Sequence, residues 1–159
     1  MRLGVDYCQL NKLTIANKYP LPLMTELRDR VAGAMIFTKL DHKDGYHLLW
    51  IMEGDEWKTA LRTLYGHYEY KVMPFGLVND PATFQAMMDT ILRDFLDHVL
   101  VVYLDDILIY SKNEEDHVAL VKKVLAELEE YDLAVSITKS VFLLQTVTKQ
   151  GRFHMTNSY

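Results

Sequence analysis

Residues 101–110, VVYLDDILIY, place two adjacent aspartates inside a run of apolar and aromatic residues. The flanking residues are rich in β-branched and aromatic side chains, which favour strands, whereas aspartate tolerates turn geometry. The pattern therefore predicts two strands joined by a tight hairpin with Asp105 and Asp106 at its tip. A buried carboxylate without a partner is strongly destabilising, so these side chains must reach water or a compensating charge.

A second strand-like segment, MIFTKLD (35–41), also ends in an acid, Asp41. If this strand lies beside the hairpin, Asp41 projects into the same small space as Asp105 or Asp106. Crowded carboxylates repel one another unless cations neutralise them, and hard oxygen ligands select Mg²⁺ or Mn²⁺. Two such ions can stabilise the attacking and leaving oxygens of a phosphoryl displacement. Three acids alone leave nuclease, cyclase and polymerase chemistry open, beside the plain alternative of a solvated hairpin tip.

Composition sets broad limits on the class of protein. The 159 residues are 50% hydrophobic and 25% charged, which suits one globular domain. A formal net charge of -5 argues weakly against nucleic acid, although an acidic metal centre would itself contribute to it. The single cysteine, Cys8, excludes an internal disulfide and fits a reducing compartment. With no membrane-length apolar run and no signal-peptide pattern, we expect an intracellular protein without a membrane partner.

Helical and strand patterns are mixed along the chain. Aromatic residues around Gly66 predict a hairpin, and Asp80 is predicted to cap a helix whose first residue is Pro81. KNEEDH (112–117) predicts a solvated helix start. The buried stripe of that helix is predicted to comprise Val118, Val121, Leu125 and Leu128. LAVSI and SVFLLQTV predict two final strands, so the fold class is α+β, an antiparallel sheet backed by helices.

Four long segments add more specific information than the acids alone. They are VDYCQLNKLTIANKYPLP, FTKLDHKDGYH, EWKTALRTLYGHYEYKVMPFGLVNDPATFQ and VVYLDDILIYSKNEEDH. In this order they resemble the reverse transcriptase domain of gypsy-type long-terminal-repeat retrotransposons. The resemblance implies a polymerase palm with partial fingers over residues 1–147 and a divergent C-terminal tail over residues 148–159. It also implies an RNA-directed DNA polymerase that transfers nucleotides from dNTPs to a primer 3′-hydroxyl on an RNA or DNA template.

The resemblance also implies roles for individual residues. Asp41, Asp105 and Asp106 would be the catalytic, metal-binding carboxylates, with Mg²⁺ or Mn²⁺ as the cofactor. The implied nucleotide-binding residues are Arg2, Tyr46, Phe75, Gly76, Gln85 and Lys139. Backbone N–H groups between His42 and Tyr46 would cradle the phosphates. Each nucleotide-binding residue has a plain alternative, namely a core aromatic, a polar helix position or a solvated charge.

Several positions depart from the family pattern. Cys8 stands where the family carries an arginine, Asp80 where it carries an alanine and His42 where it carries a leucine. We also expect the family's upstream fingers hairpin, thumb and RNase H regions to lie outside this chain. The alternative hypothesis is therefore a non-catalytic, truncated retroelement remnant, and enzymatic activity stays open. Remaining polyprotein domains are expected partners, in the cytoplasm or a virus-like particle.

Overall fold

The computed structural model describes residues 4–43, 45–149 and 152–156. Helices are α1 (Cys8–Leu13), α2 (Met24–Arg30), α3 (Asp80–Ile91) and α4 (Glu114–Glu130), with 3₁₀ turns at Gly45–Leu48 and Glu56–Thr59. Strands are β1 (Ile36–Asp41), β2 (Leu61–Thr63), β3 (Gly66–Tyr68), β4 (Leu100–Tyr103), β5 (Asp106–Ser111), β6 (Val141–Lys149) and β7 (Arg152–Thr156).

Five strands form one antiparallel sheet in the order β4-β5-β1-β6-β7, and β2 and β3 form the separate hairpin predicted around Gly66. The central strand β1 pairs with β5 from Ile36↔Ser111 to Asp41↔Asp106. Helices α3 and α4 contact the β4, β5 and β1 strands. The predicted α+β class, an antiparallel sheet backed by helices, is confirmed.

Alternation along the strands sends one set of side chains into the core. Leu40 of β1 and Ile107 and Ile109 of β5 are fully buried, whereas their strand neighbours Lys39 and Asp106 are partly exposed. Helical residues that belong to the same core cluster include Phe84, Met88, Leu92, Val124 and Leu128. The opposite face carries Lys39, Asp41 and Asp106 near one end of the strands and the buried Phe37 further along β1.

Helix α4 begins as predicted but buries a different stripe. Its N-cap is Asn113, whose side chain accepts from the Asp116 N–H. Val118 is exposed, and the prediction that it is buried is wrong. The buried residues are His117, Val121, Val124 and Leu128. Because the first buried position is a histidine, the spacing of apolar residues alone does not identify this stripe.

The interpretation of KNEEDH as a solvated start is correct for its acids but wrong for His117. His117 is fully buried, with Nε2 2.8 Å from Thr38 Oγ1 and Nδ1 2.9 Å from Ser111 Oγ. The Ser111 hydroxyl donates to the Asn113 carbonyl, so we assign Nδ1 as the protonated nitrogen and Thr38 as donor to Nε2. Burial lowers the pKa of His117, which suits this neutral form.

One expectation near the C-terminal end is wrong. LAVSI (133–137) is not a strand and contributes only an isolated bridge between Val135 and His42. It forms no ladder because β6, which begins at Val141, already occupies the free side of β1. The expected domain boundary between residues 147 and 148 stays a prediction; it falls within β6, and β7 pairs with β6. Within the described ranges, no helix is both long and apolar enough to cross a membrane.

Candidate active site

A two-residue turn, Leu104–Asp105, joins β4 to β5. Tyr103 pairs with Asp106 across the hairpin, so the tip carries Asp105 while Asp106 is the first residue of β5. Leu104 has a φ of 51°, and a positive φ at the first of two turn residues is typical of type II′ hairpins. Leucine rarely adopts this conformation, so surrounding contacts must hold the turn. The predicted tight hairpin is confirmed.

The end of β1 lies directly beside this turn. Asp41 is paired with Asp106, which puts both side chains on the same face of the sheet. The His42 N–H donates to the Asp105 carbonyl at 3.2 Å and extends the pairing past the end of β1. The three candidate carboxylates are therefore brought together, as the strand patterns predicted.

The carboxylates are incompletely neutralised. Asp41 Oδ1 and Asp105 Oδ1 are buried and lack a hydrogen-bond partner. Burial raises the pKa of Asp105, and the charges of Asp41 and Asp106 raise it further, against a lowering contribution from Lys139. Lys139 Nζ lies 3.4 Å from Asp41 Oδ1, an ion pair without hydrogen-bond geometry. The site thus holds excess negative charge with two unsatisfied oxygens.

These donors fit a particular kind of divalent ion site. Mg²⁺ is commonly held by one or two carboxylates, with substrate phosphates and water completing the octahedron. The unsatisfied oxygens of Asp41 and Asp105 match that donor set. Asp106 is instead paired with Lys39, whose Nζ lies 2.9 Å from Oδ2. Across the described ranges, no group of three or more His, Cys, Asp or Glu side chains forms a ready-made metal cluster.

Lys139 reaches the carboxylates because the segment before β6 is bonded to the end of β1. The Ser136 N–H donates to the Asp41 carbonyl at 2.9 Å, and the Asp41 N–H donates to Ser140 Oγ at 3.1 Å. Lys139 lies between these two anchors, and its side chain is largely exposed. The structure therefore places Lys139 at the site. The sequence resemblance alone could not give this position in space.

Lys39 was missed by the sequence analysis. It lies two residues before Asp41 on β1, so strand alternation puts both side chains on one face. Its ion pair with Asp106 is roughly half exposed on each side. Such exposed pairs contribute only about 0–1 kcal/mol, so Asp106 can leave Lys39 at little cost.

Gly45 packs the turn after β1 against α3. A Cβ at this position would lie 2.9 Å from Cε2 and Cζ of the Phe84 ring, a contact that only glycine avoids. His42 packs edge-to-face on the same ring, with centroids 6.0 Å apart. Tyr46 follows in the 3₁₀ turn, and its side chain lies outside the described residues, as does the whole of Arg2.

His42, which stands where the family pattern has a leucine, is buried. Both ring nitrogens are buried without a hydrogen-bond partner, although the Ala134 backbone lies near enough to affect the ring. Burial lowers the pKa of His42, against smaller raising contributions from Ala134 and Asp41. The ring is therefore accommodated as a neutral, mainly apolar group.

Phe75 and Gly76 lie in the loop before α3, and Phe75 is partly exposed. Asn11 Nδ2 donates to the Gly76 carbonyl at 2.8 Å. Asp80 Oδ2 accepts from the N–H groups of Gly76 at 3.1 Å and Leu77 at 2.9 Å. The helix N-cap is Asn79, so the prediction that Asp80 is the cap is wrong. Asp80 instead turns back from the first helical position and fixes this loop.

The raised pKa of Asp80 should make the free energy of unfolding depend on pH. Burial raises its pKa from 3.8 to about 6, against the lowering effect of the Leu77 and Gly76 N–H groups. Between those values the folded state binds more protons than the unfolded state, so stability falls as pH rises. Acidification from pH 7 to pH 5 should therefore add about 1 kcal/mol through Asp80 alone.

Urea denaturation at pH 7 and pH 5 gives the change in the free energy of unfolding with pH for wild type and for Asp80→Asn. The difference between the two proteins is the contribution of Asp80. The comparison is needed because His42 and His117 have lowered pKa values and destabilise the fold on acidification. Asp94→Asn, at an exposed aspartate after α3, is the matched control. Equal pH dependence in wild type and Asp80→Asn would contradict the assignment.

Gln85, one of the predicted nucleotide-binding residues, lies on α3. The structure buries it completely beneath the aspartate hairpin, where its amide bonds to protein groups. The role of Gln85 in nucleotide binding stays a prediction, and in this structure its amide is used within the protein. The motif spacing could indicate a helical position but could not indicate which face of α3 it occupies.

Comparison with known proteins now identifies the class. A β1 strand and a β4–β5 hairpin that present acids at one corner of an antiparallel, helix-backed sheet define a polymerase palm. Residues 1–155 match the family described as "Reverse transcriptase (RNA-dependent DNA polymerase)", and the chain belongs to that family.

Transposon polyproteins are among the similar curated proteins. The chain is 46% identical over 142 residues to the transposon Tf2-3 polyprotein of Schizosaccharomyces pombe, a match that covers 89% of this chain. The Tf2-7 polyprotein of the same organism is 45% identical over 142 residues. In both cases the match spans only 11% of the polyprotein, so the chain corresponds to about a tenth of these relatives.

Solved structures of a viral enzyme share the fold. Foamy viral protease-reverse transcriptase in complex with an RNA/DNA hybrid has a TM-score of 0.84 and 25% identity, covering 94% of this chain and 20% of that one. The same enzyme in complex with dsDNA has a TM-score of 0.83 and 25% identity, covering 94% of this chain and 31% of that one. The palm fold implied by the sequence resemblance is confirmed.

Proposed function

We propose that this chain carries the polymerase centre of an RNA-directed DNA polymerase, which adds nucleotides from dNTPs to a primer 3′-hydroxyl. The observation that carries the proposal is the pair of buried, unsatisfied oxygens on Asp41 and Asp105, side by side at one corner of the sheet. Membership of the reverse transcriptase family supports the choice of polymerase over nuclease or cyclase.

Bound divalent ions and residues of the chain would each supply part of the chemistry. One or two divalent ions, when bound, neutralise charge on the attacking and leaving oxygens. Asp41 and Asp105 would hold them, and Asp106 would join on release from its exposed ion pair with Lys39. The primer 3′-hydroxyl would give its proton to water while its oxygen bonds to the α-phosphorus. The bond from the α-phosphorus to the bridging oxygen would break, and pyrophosphate would leave.

Lys139 is proposed to donate a proton to the leaving pyrophosphate. Its ammonium group lies against Asp41 and its side chain is largely exposed, so it could turn toward a substrate bound at the carboxylates. Tyr46, Phe75 and Gly76 are proposed to contact the nucleotide. Template, primer and the remaining polyprotein domains are proposed partners, since the chain corresponds to about a tenth of its polyprotein relatives.

Primer extension tests the proposal directly. The chain is incubated with an oligo-dT-primed RNA template, dNTPs and Mg²⁺ or Mn²⁺, beside a DNA template of the same sequence. Extension on the RNA template is the expected result. If circular dichroism shows a folded chain that extends neither template, the non-catalytic remnant becomes the better account.

Metal binding should stabilise the fold even without a substrate. Mn²⁺ at about 100 times its dissociation constant should raise the free energy of unfolding by about 2.7 kcal/mol. The reason is that a bound cation relieves the repulsion around Asp105 and satisfies the two orphaned oxygens. Thermal unfolding with and without Mn²⁺ measures the effect in wild type and Asp41→Asn.

The stabilisation should disappear in Asp41→Asn, because the amide removes the charge while preserving the shape. Asp94→Asn should respond to Mn²⁺ like wild type, since Asp94 lies in the turn after α3. A shift of equal size in all three proteins would show that the metal acts elsewhere.

A further inference from the structure

A chain of hydrogen bonds, most of them partly buried, runs from the N-terminal segment to the aspartate turn. The Tyr19 hydroxyl donates to Asp89 Oδ2 at 2.8 Å, and Gln85 Nε2 donates to Asp89 Oδ1 at 2.8 Å. Gln85 Nε2 also donates to the Val102 carbonyl at 3.3 Å, and Gln85 Oε1 accepts from the Leu104 N–H at 2.9 Å. We call these three side chains, Tyr19, Asp89 and Gln85, the Tyr19–Gln85 relay.

Charge and valence determine the orientation of the Gln85 amide. A carboxylate can only accept, so Asp89 requires the amide nitrogen of Gln85 to face it. The amide oxygen must then face the opposite way, toward the Leu104 N–H. Without Asp89, the reversed amide would present its own N–H groups to the Leu104 N–H. Tyr19 occupies the other oxygen of Asp89 and limits rotation of that carboxylate.

The relay ends on the one strained residue of the hairpin. Leu104 has the positive φ of 51°, and the orientation of the next residue, Asp105, depends on this turn. Gln85 bonds to the backbone on the β4 side of the turn at Val102 and within the turn at Leu104. These two contacts oppose relaxation of Leu104 to an ordinary conformation, which would swing the Asp105 carboxylate away from Asp41.

The other end of the relay lies in a segment that is mostly exposed. Residues 15–18 are exposed, and the segment is attached to the start of α3 through Asn79. There, Asn79 Oδ1 accepts from the Asn17 N–H at 2.8 Å, and Asn79 Nδ2 donates to the Ile15 carbonyl at 3.0 Å. Tyr19 is thus a point where an exposed segment connects to the buried amide beneath the hairpin.

We propose that Gln85, Asp89 and Tyr19 are positioning residues that hold the Leu104–Asp105 turn in its metal-binding conformation. The inference rests on the proposed polymerase function, because it assigns these side chains to the support of Asp105. In this role the relay would act through the hairpin backbone, by way of the hydrogen bonds of Gln85 to Val102 and Leu104.

Amide hydrogen exchange tests the relay without requiring catalysis. The Leu104 amide is followed by NMR in wild type, Gln85→Met and Tyr19→Phe. Exchange should be about 5–10-fold faster in Gln85→Met, the factor that corresponds to loss of one ordinary hydrogen bond. Tyr19→Phe removes a single hydroxyl at the far end and should accelerate Leu104 exchange about 2–5-fold.

Tyr110→Phe is the matched control. Its hydroxyl donates to the Asp97 carbonyl at 3.3 Å, and Tyr110 lies on β5 itself but away from the turn. Leu104 exchange should be unchanged in this variant. If Gln85→Met does not fold, Tyr19→Phe decides the matter, since loss of its hydroxyl leaves the core apolar contacts in place.

Kinetics separates a positioning role from a merely structural one. In single-nucleotide extension, Tyr19→Phe should lower kcat more than it changes the KM for dNTP, and Gln85→Met should lower kcat by about 10-fold or more. Unchanged Leu104 exchange in Gln85→Met, or equal exchange in Tyr19→Phe and Tyr110→Phe, would overturn the relay. Absence of extension by the wild type would overturn the proposed function alone, because exchange still decides the relay.

Discussion

Asp105→Asn is expected to lower the rate of primer extension by about 10³-fold or more, because two-metal stabilisation supplies several kcal/mol of the barrier reduction. Asparagine matches the shape of aspartate but removes the charge that holds a divalent ion. The variant should be at least as stable as wild type without metal, since burial and two neighbouring carboxylates raise the pKa of Asp105 and make its charged form unfavourable. Single-turnover extension and urea denaturation measure the two effects.

Asp105→Asn is therefore expected to lower activity while stability stays the same or rises. Asp41→Asn should also lower the rate of primer extension strongly, because Asp41 carries the second buried oxygen without a hydrogen-bond partner. Asp94→Asn should change neither quantity. An Asp105→Asn variant that keeps more than about a tenth of the wild-type rate would rule out a large electrostatic role for this carboxylate.

Phe84→Ala is expected to cost about 3–5 kcal/mol of stability, the usual range for a fully buried phenylalanine. The ring is fully buried and belongs to the main core cluster. It also packs beneath His42 and directly against Gly45, so the cavity would open under the turn that follows Asp41. Because domains of this size are stable by only about 5–15 kcal/mol, the loss is a large fraction of the total.

The urea midpoint of Phe84→Ala measures the effect, with Phe142→Ala as the control. Phe142 is an exposed phenylalanine of β6, so the same substitution there should have a much smaller effect. A loss in Phe84→Ala as small as that expected for Phe142→Ala would contradict the prediction.

Sequence patterns predicted the site's two carboxylate-bearing elements because each has a strong local signal. The β-branched runs around Asp105 indicate a hairpin on their own, and the strand ending at Asp41 supplies the third acid. Their adjacency was a hypothesis that the pairing of Asp41 with Asp106 confirmed. Several long motifs in order then indicated the family, which the match over residues 1–155 confirmed.

The polar residues of the core were not predictable in the same way. His117 and Gln85 are both fully buried, yet a search for apolar periodicity counts them as surface positions. Their burial depends on partners far along the chain, Thr38 for His117 and Leu104 for Gln85. A single sequence does not reveal such long-range hydrogen bonds, because satisfaction of a buried amide or imidazole depends on tertiary geometry.

The predictions for Asp80 and LAVSI were wrong for a different physical reason, which is that another residue or segment takes the predicted position. Asp80 has the chemistry of a helix cap, but Asn79 takes that position and leaves Asp80 to accept from Gly76 and Leu77. LAVSI has strand propensity, but β6 outcompetes it for the edge of β1. Local propensity predicts what a segment can form, and the available partners decide what it does form.

The central place of β1 has a consequence for biosynthesis. Asp106, which pairs with Asp41, is made 65 residues later, and β6 on the other side is made later still. At about 5–20 residues per second, translation leaves β1 without either neighbour for about 3–13 s. During that interval Ile36, Phe37 and Leu40 form a short apolar strand with two open edges, interrupted only by the charge of Lys39. A nascent chain that stalls before β5 should therefore depend on chaperones to stay out of aggregates.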